Sequence, residues 1–227
     1  MQRAILWDFD GTLATRPGHW SQGMLEVLDD HDPGHEVTRE QLRATLQNGF
    51  PWHRPHEPHL HLNDPDAWWA EVGQTLAAGF GEVGYAKDAP QLLAAFRARF
   101  SDPSGWTVFD DTVPSLEALR EAGMRHVVVS NHMPELPRLA DALGIGRLVD
   151  AVITSATVGY EKPHPAIFHA AIAATDAEPA LMVGDNPVAD VQGAWEVGLE
   201  AVLVRRSDER CRSFQDLASL TAQLLSK

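Results

Sequence analysis

The second half of the chain alternates short apolar runs with stretches in which apolar residues recur at helical spacing. Four apolar runs have the length of buried strands, at residues 125–130, 151–153, 180–183 and 201–204. A helical stretch that ends at Gly123 comes before them, and further helices are predicted at 134–143, 165–174, 188–197 and 214–225. Unbroken apolar strands that alternate with helices are typical of a parallel sheet covered on both faces. We therefore predict an α/β fold, to which an opening strand at 4–7 also belongs.

Residues 16–100 follow a different pattern, in which helices are predicted and no strand stands out. Thr38 and Gln41 have the spacing of a capping box, and Asp64 followed by Pro65 indicates another helix start. Four helices are expected in this region, at 20–28, 38–47, 64–78 and 89–100. We therefore expect a mostly helical domain at 16–100, inserted into a core that residues 1–15 and 101–227 form.

Composition and charge fit a globular protein and disfavour several kinds of partner. Apolar residues make up 44% of the 227 residues and charged residues 22%, so a core can form. The 18 basic residues against 32 acidic ones give a net charge of −14, which disfavours nucleic acid and anionic membranes as partners. Cys211 is the single cysteine, and the sequence predicts neither a signal peptide nor a membrane span. We expect a cytoplasmic protein, either a monomer or a homodimer.

Polar residues follow the predicted strands where each strand ends. They are Asp8 and Asp10, Ser130 and Asn131, Lys162, and Asp185 with Asp190. The carboxyl ends of parallel strands lie at one edge of a sheet, so we expect these side chains to converge there. Neighbouring carboxylates favour a divalent cation, and a lysine between prolines can hold an oxyanion. Taken singly, each group also fits an acidic turn, ordinary turn chemistry, an exposed lysine or a charge at a helix start.

Taken together, the four segments resemble the four motifs of the haloacid dehalogenase superfamily. They are DFDGTLA at 8–14, VVVSN at 127–131, EKPHPAIF at 161–168 and VGDNPVAD at 183–190. Their order, and their placement between the predicted elements, is similar to that of the family. The resemblance implies a Rossmann-like core and a helical cap. Because the stretch between Asp10 and Ser130 is far longer than one crossover needs, the cap is expected between the first and second motifs.

The resemblance also implies a role for each of these residues. Asp8 would be the nucleophile and Asp10 the general acid and base. Ser130, Asn131 and Lys162 would hold the phosphoryl group. Mg²⁺ would bind to Asp8, to the backbone carbonyl of Asp10 and to Asp185. Asp190 would orient Lys162 or reach the metal through a water molecule.

The acid at position 10 separates the reactions known in this superfamily. Members that displace halide from carbon use the first aspartate without Mg²⁺ and do not carry an acid at the second position, so Asp10 favours a phosphatase. A phosphomutase, a 2-haloacid dehalogenase and a catalytically silent binding relative stay as alternatives. A silent relative would lack Asp8, Asp10, Lys162 or Asp185, and all four are present. The resemblance implies a Mg²⁺-dependent hydrolase of a small phosphorylated metabolite, because a closing cap excludes macromolecules.

The most unusual stretch of the chain is the histidine- and proline-rich segment 51–61. A second metal site, substrate recognition through Trp52, Arg54 or a histidine, and an ordinary loop all stay open for it. His132 is a further candidate for substrate specificity, because it adjoins the segment expected to hold phosphate. The sequence does not name the substrate.

Overall fold

A six-stranded parallel sheet forms the centre of the structure, a computed structural model that describes residues 3–226, apart from the side chains of Pro179 and Ala180. The strands are, in chain order, β1 (Arg3–Trp7), β2 (Ala14–Thr15), β3 (Thr107–Val108), β4 (Arg125–Ser130), β5 (Ala151–Thr154), β6 (Glu178–Gly184), β7 (Ala201–Val204) and β8 (Ser213–Phe214). The main sheet has the order β5-β4-β1-β6-β7-β8, and all its neighbouring strands are parallel. The short strands β2 and β3 pair with each other in antiparallel fashion.

Helices make up most of the remaining regular structure. They are α1 (His19–His31), α2 (Arg39–Thr45), α3 (Pro65–Glu82), α4 (Ala89–Phe100), α5 (Thr112–Glu121), α6 (Leu136–Ala142), α7 (Ser155–Val158), α8 (Pro165–Ala173), α9 (Gly193–Glu196) and α10 (Leu217–Leu225). A π-helical segment, Pro187–Gln192, leads into α9. Short 3₁₀ turns lie at Pro51–His53, Leu60–Leu62, Pro103–Gly105 and Gly146–Leu148. No helix within residues 3–226 has the length and apolar character needed to cross a bilayer.

Apolar side chains cover both faces of the sheet, because successive residues of a strand point to opposite sides. In β1, Ile5 and Trp7 belong to one buried cluster and Leu6 belongs to the other. The cluster around Trp7 continues through Phe9 into helices α1, α3 and α4. The predicted α/β fold with helices on both faces is therefore confirmed.

Residues 16–100 fold into the four predicted helices and no strand. Helix α4 has the expected bounds, and α3 runs four residues further than the sequence suggested. The capping box of α2 forms, since the Gln41 amide donates to Thr38 Oγ1 at 3.3 Å and the Thr38 amide donates to Gln41 Oε1 at 2.8 Å. The division of the chain into a core at 1–15 and 101–227 and a cap at 16–100 stays a prediction.

Two predicted helices begin differently from the expectation. The helix predicted at 188–197 starts with π-helical turns, where Asn186 Oδ1 accepts from the amides of Val188 and Ala189. The helix predicted from residue 214 starts at Leu217, because Phe214 pairs with β7 as part of β8. π-helical turns are frequent at functional sites, and this one lies beside the polar strand ends described next.

Candidate active site

The predicted polar residues do converge at the carboxyl edge of the sheet. Asp8 follows β1, and its backbone amide donates to the carbonyl of Val183 in β6 at 2.8 Å. Ser130 is the last residue of β4, and Asp185 comes directly after β6. Since β4 and β6 are the two neighbours of β1, the strand pairing itself brings these groups to one place.

Asp8 is held from one side by two donors. Lys162 Nζ donates to Asp8 Oδ1 at 2.7 Å, and Ser130 Oγ donates to the same oxygen at 3.0 Å. Asp8 is 7% exposed. One carboxylate oxygen is therefore fixed by a cation and a hydroxyl, which sets the orientation of the other oxygen.

Lys162 is fixed in turn by its surroundings. Its Nζ also donates to Asp190 Oδ1 at 2.6 Å and to the carbonyl of Val129 at 2.9 Å. Burial alone would lower the pKa of this lysine, but the carboxylates of Asp190 and Asp8 outweigh it and raise the pKa above its ordinary value. The two carboxylates therefore favour the charged form of this buried amine.

Asn131 contacts the backbone of Lys162 on both sides of its amide group. The Lys162 amide donates to Asn131 Oδ1 at 2.6 Å, and Asn131 Nδ2 donates to the Lys162 carbonyl at 3.0 Å. Both polar atoms of the Asn131 side chain thus bond to the loop that carries the lysine. This arrangement positions Lys162 relative to β4.

Asp10 has a partner that sequence reasoning missed. His19 Nδ1 lies 3.0 Å from Asp10 Oδ2. Burial raises the pKa of Asp10, while the hydrogen bond with His19 acts in the opposite direction. His19 is the first residue of α1, and its φ of 47° is in the left-handed region. No motif marks this position, because the pairing depends on how α1 leaves the segment after Asp10.

Three carboxylates form a compact acidic cluster. One oxygen from each of Asp8, Asp185 and Asp190 lies within 4.8 Å of the other two. Both oxygens of Asp190 are already bonded, since Oδ1 accepts from Lys162 and Oδ2 accepts from the Asn186 amide at 2.9 Å. Burial and the negative charge of Asp8 raise the pKa of Asp185 to about 6. Such a pair of oxygen donors, Asp8 and Asp185, fits a hard divalent cation, whose charge would offset their repulsion.

A cavity of about 390 Å³ opens above these residues, between the helices of residues 16–100 and the core. Asp10, Lys162 and His132 lie in its lining. His132 is 6% exposed, and burial lowers its pKa to about 3, so the ring is neutral at ordinary pH. His132 is thus close to the candidate site, as the sequence suggested.

Arg54 lies elsewhere. Its guanidinium pairs with Glu57 at 3.0 Å and Glu71 at 3.4 Å, and it lines a separate cleft with His59 and His61. Within residues 3–226, the acidic cluster at the strand ends is the one group of three or more side chains with metal-binding spacing. The structure therefore gives the histidine-rich segment no second metal centre among the described residues.

Comparison with known proteins agrees with the geometry of the strand ends. The family model described as "haloacid dehalogenase-like hydrolase" matches residues 2–198. The human "Haloacid dehalogenase-like hydrolase domain-containing protein 3" is 38% identical, over 89% of this chain and 81% of that one. A glyceraldehyde 3-phosphate phosphatase of Methanothermobacter thermautotrophicus is 36% identical, over 90% of this chain and 86% of that one.

A solved structure has the same fold over nearly the whole chain. A putative HAD-hydrolase of Bacillus subtilis, bound to magnesium, superposes with a TM-score of 0.77 at 17% identity, covering 99% of each chain. This likeness supports the fold, and the matches above support the family. The chain is an enzyme of the haloacid dehalogenase-like hydrolase family.

Proposed function

We propose that this enzyme is a Mg²⁺-dependent phosphatase that hydrolyses small phosphomonoesters through a phosphoryl group on Asp8. The observation that carries the proposal is the fixing of Asp8 Oδ1 by Lys162 and Ser130, beside the partly exposed carboxyl group of Asp10. These two donors fix the orientation of the Asp8 carboxylate, and positioning supplies much of the rate of phosphoryl transfer.

The first chemical step forms a bond between a carboxylate oxygen of Asp8 and phosphorus. The bond between phosphorus and the alcohol oxygen breaks, and that oxygen takes the proton of the Asp10 carboxyl group. Burial favours the protonated form of Asp10 that this step requires. The products of the step are the free alcohol and an aspartyl-phosphate.

The second step reverses the proton transfer. Asp10, now a carboxylate, takes a proton from a water molecule, whose oxygen attacks phosphorus and releases inorganic phosphate from Asp8. His19 stabilises the charged form of Asp10 that exists between the steps, because its ring lies 3.0 Å from Asp10 Oδ2. Lys162 neutralises charge on the phosphoryl oxygens, and Asp190 and Asn131 hold the lysine in place.

Asp8 and Asp185 would hold Mg²⁺, together with the backbone carbonyl of Asp10. The ion would supply charge that screens the carboxylates from the phosphate and stabilises the transition state. Asp190 contributes through Lys162, since both its oxygens are bonded to protein donors.

A phosphatase fits these residues better than a dehalogenase does. Displacement of halide from carbon releases an anion that needs no proton, whereas an alcohol does, and Asp10 lies in the lining of the cavity as a proton source. Relatives whose names describe phosphatases support the same choice. The cavity volume of about 390 Å³ suits a small metabolite.

The test measures phosphate release from a panel of small phosphomonoesters by the purified enzyme, with Mg²⁺ and with a chelator. We expect release with Mg²⁺ from the wild type and none above background from Asp8→Asn. The matched control is Asp176→Asn, which makes the same change at an exposed loop residue and should behave as the wild type. Phosphate release that survives both chelation and Asp8→Asn would contradict the mechanism, and halide release from a 2-haloacid without Mg²⁺ would favour a dehalogenase.

A further inference from the structure

The cavity above the candidate site has few charges in its wall. Fourteen described residues line it, and the charged ones among them are Asp10 and Lys162. The proposed mechanism uses both of these groups at the phosphoryl end. No cation of the described lining is left to bind a second phosphate or a carboxylate in the rest of the substrate.

No arginine of residues 16–100 lines this cavity. Arg97 pairs with Asp66 at 2.6 Å, and Arg99 pairs with Glu26 at 3.7 Å. Arg39 and Arg43 line a different cleft, which shares the rings of Trp20 and Trp52 with the cavity. A second anionic group of the substrate would therefore lose water inside the cavity with no unused cation of the described lining to pair with, which is costly.

Residues 16–100 contribute four aromatic rings to the wall of the cavity. They belong to Trp20, Trp52, Trp68 and Phe100. Trp20 packs against Phe100 with ring centroids 4.4 Å apart and against Trp52 at 5.4 Å, so the rings support one another as a continuous surface. Such a surface offers a flat substrate group large contact area at little entropic cost.

The other polar groups of the wall are neutral. Asn131 is bonded to the Lys162 backbone, and the side-chain oxygen of Asn186 caps the π-helical segment. Trp68 Nε1 and both ring nitrogens of His132 have no hydrogen-bond partner among the described residues, and these side chains line the cavity. Unpaired neutral donors and acceptors suit a neutral polar substituent better than a charged one.

We propose that the substrate's leaving group is an uncharged alcohol that bears a flat ring, held by the aromatic wall of the cap. This inference rests on the proposed phosphatase function and narrows its substrate class. It sets aside phosphorylated acids and bisphosphates, which carry a second anionic group into the cavity.

The test compares phosphomonoesters that differ in one property. 4-Carbamoylbenzyl phosphate and 4-carboxybenzyl phosphate have nearly the same size and the same kind of leaving alcohol, but the second carries a carboxylate. We expect kcat/KM for the amide to exceed that for the acid by roughly tenfold or more, because the acid buries an unpaired charge. Benzyl phosphate should exceed glycerol 3-phosphate, which has a neutral leaving group without a ring, by about the same factor.

A charge introduced at the wall gives an independent readout. Val188 is 46% exposed and lines the cavity, so Val188→Lys should lower the amide-to-acid ratio of kcat/KM several-fold. Ala174→Lys adds the same charge at an exposed position that follows α8, outside the lining, and should leave the ratio unchanged. Trp52→Leu should reduce the preference for benzyl over glycerol 3-phosphate, whereas Trp195→Leu, at an exposed ring elsewhere, should not.

The outcomes separate the two proposals. The inference would be overturned if 4-carboxybenzyl phosphate were hydrolysed as fast as 4-carbamoylbenzyl phosphate or faster, or if glycerol 3-phosphate were hydrolysed as fast as benzyl phosphate or faster. Either result would leave the phosphatase function standing. Equal amide-to-acid ratios of kcat/KM in Val188→Lys and Ala174→Lys would have the same meaning. Absence of phosphate release from every ester, with Mg²⁺ present, would overturn the phosphatase function and the inference with it.

Discussion

His126 shows at the scale of one residue how burial fixes a protonation state. It is fully buried in β4, where its Nδ1 accepts from Trp7 Nε1 at 3.1 Å and its Nε2 faces the carbonyl of Leu116 at 3.1 Å. These partners require a neutral ring with its proton on Nε2. Burial lowers the pKa of His126 to about 4.

The first prediction concerns the stability that this ring gives as pH changes. Its folded pKa is below the ordinary 6.5, so its contribution is complete above pH 6.5 and is lost as pH falls toward 4. The full loss would be on the order of 3 kcal/mol. His126→Gln keeps a donor and an acceptor without titrating, so its free energy of unfolding in urea should fall less than that of the wild type between pH 7 and pH 4.5.

The matched control for this experiment is His61→Gln, at an exposed position. Its pH dependence should match that of the wild type. If His126→Gln has the same pH dependence as well, the account of this histidine is wrong.

Single residues also show which parts of the candidate site can be predicted from the sequence. Asp8, Asp10, Lys162 and Asp185 are recognisable because each follows a strand or a proline-bounded loop in a motif of fixed order. His19 is not, since its contact with Asp10 is set by the left-handed backbone at Gly18 and His19. The neutral state of His132 likewise depends on tertiary burial, which no local pattern encodes.

At the scale of elements, the histidine-rich segment 51–61 packs against the residues that follow α7. The His59 amide donates to the Gly159 carbonyl at 2.9 Å, and His59 Nε2 lies 3.4 Å from Glu161 Oε1 in a buried pair. Gly159 ends α7 at φ 82°, and a Cβ there would lie 2.6 Å from Leu60 Cγ. Glu161 precedes Lys162, so the histidine-rich segment packs beside the loop that carries this lysine.

The second prediction compares two glycines with the same backbone conformation. Gly144 has φ 77°, and a Cβ added there would meet no described atom within 4 Å, so Gly144→Ala should cost the left-handed strain alone, about 1–2 kcal/mol. Gly159→Ala carries the same strain and also displaces Leu60. Urea unfolding should therefore show a larger loss for Gly159→Ala. Equal losses would contradict a close contact between the cap segment and α7.

Local patterns predicted the elements that their own residues determine. The runs 125–130 and 201–204 form strands with those bounds, and α4 ends where the sequence indicated. The strands β2 and β3 are two residues long and pair with each other across residues 16–106. They are too short for a periodic pattern in the sequence to predict them. The contact between His59 and Glu161 also joins distant parts of the chain.

At the scale of the whole molecule, the net charge of −14 would repel the anionic substrate that we propose. Local charges at the candidate site offset this repulsion. Lys162 is buried at the end of the sheet, and the acidic pair Asp8 and Asp185 would attract Mg²⁺ to the same place. In the proposed mechanism, positive charge would therefore be concentrated where the phosphoryl group reacts. The net negative charge of the chain as a whole disfavours large polyanions as partners.

The third prediction is that Mg²⁺ stabilises the folded enzyme without substrate. An ion that binds only the folded state adds about 2.7 kcal/mol at a hundredfold excess over its Kd, which raises the Tm. Asp185→Asn removes a ligand and should lose most of this shift in a thermal melt, while Asp176→Asn should keep it. An equal Mg²⁺-induced shift in Asp185→Asn would contradict the assignment of Asp185 as a metal ligand.

The most direct test of the central claim is to trap the phosphoryl group on the enzyme. Rapid acid quenching during turnover of a good phosphomonoester substrate with Mg²⁺, followed by peptide mass spectrometry, should find one phosphoryl group on Asp8. With p-nitrophenyl phosphate, whose leaving group departs without the proton of Asp10, Asp10→Asn slows only the attack of water and should accumulate more of the intermediate, and Asp8→Asn should show none. Full turnover with a phosphoryl group on another residue, or undiminished turnover by Asp8→Asn, would contradict the account.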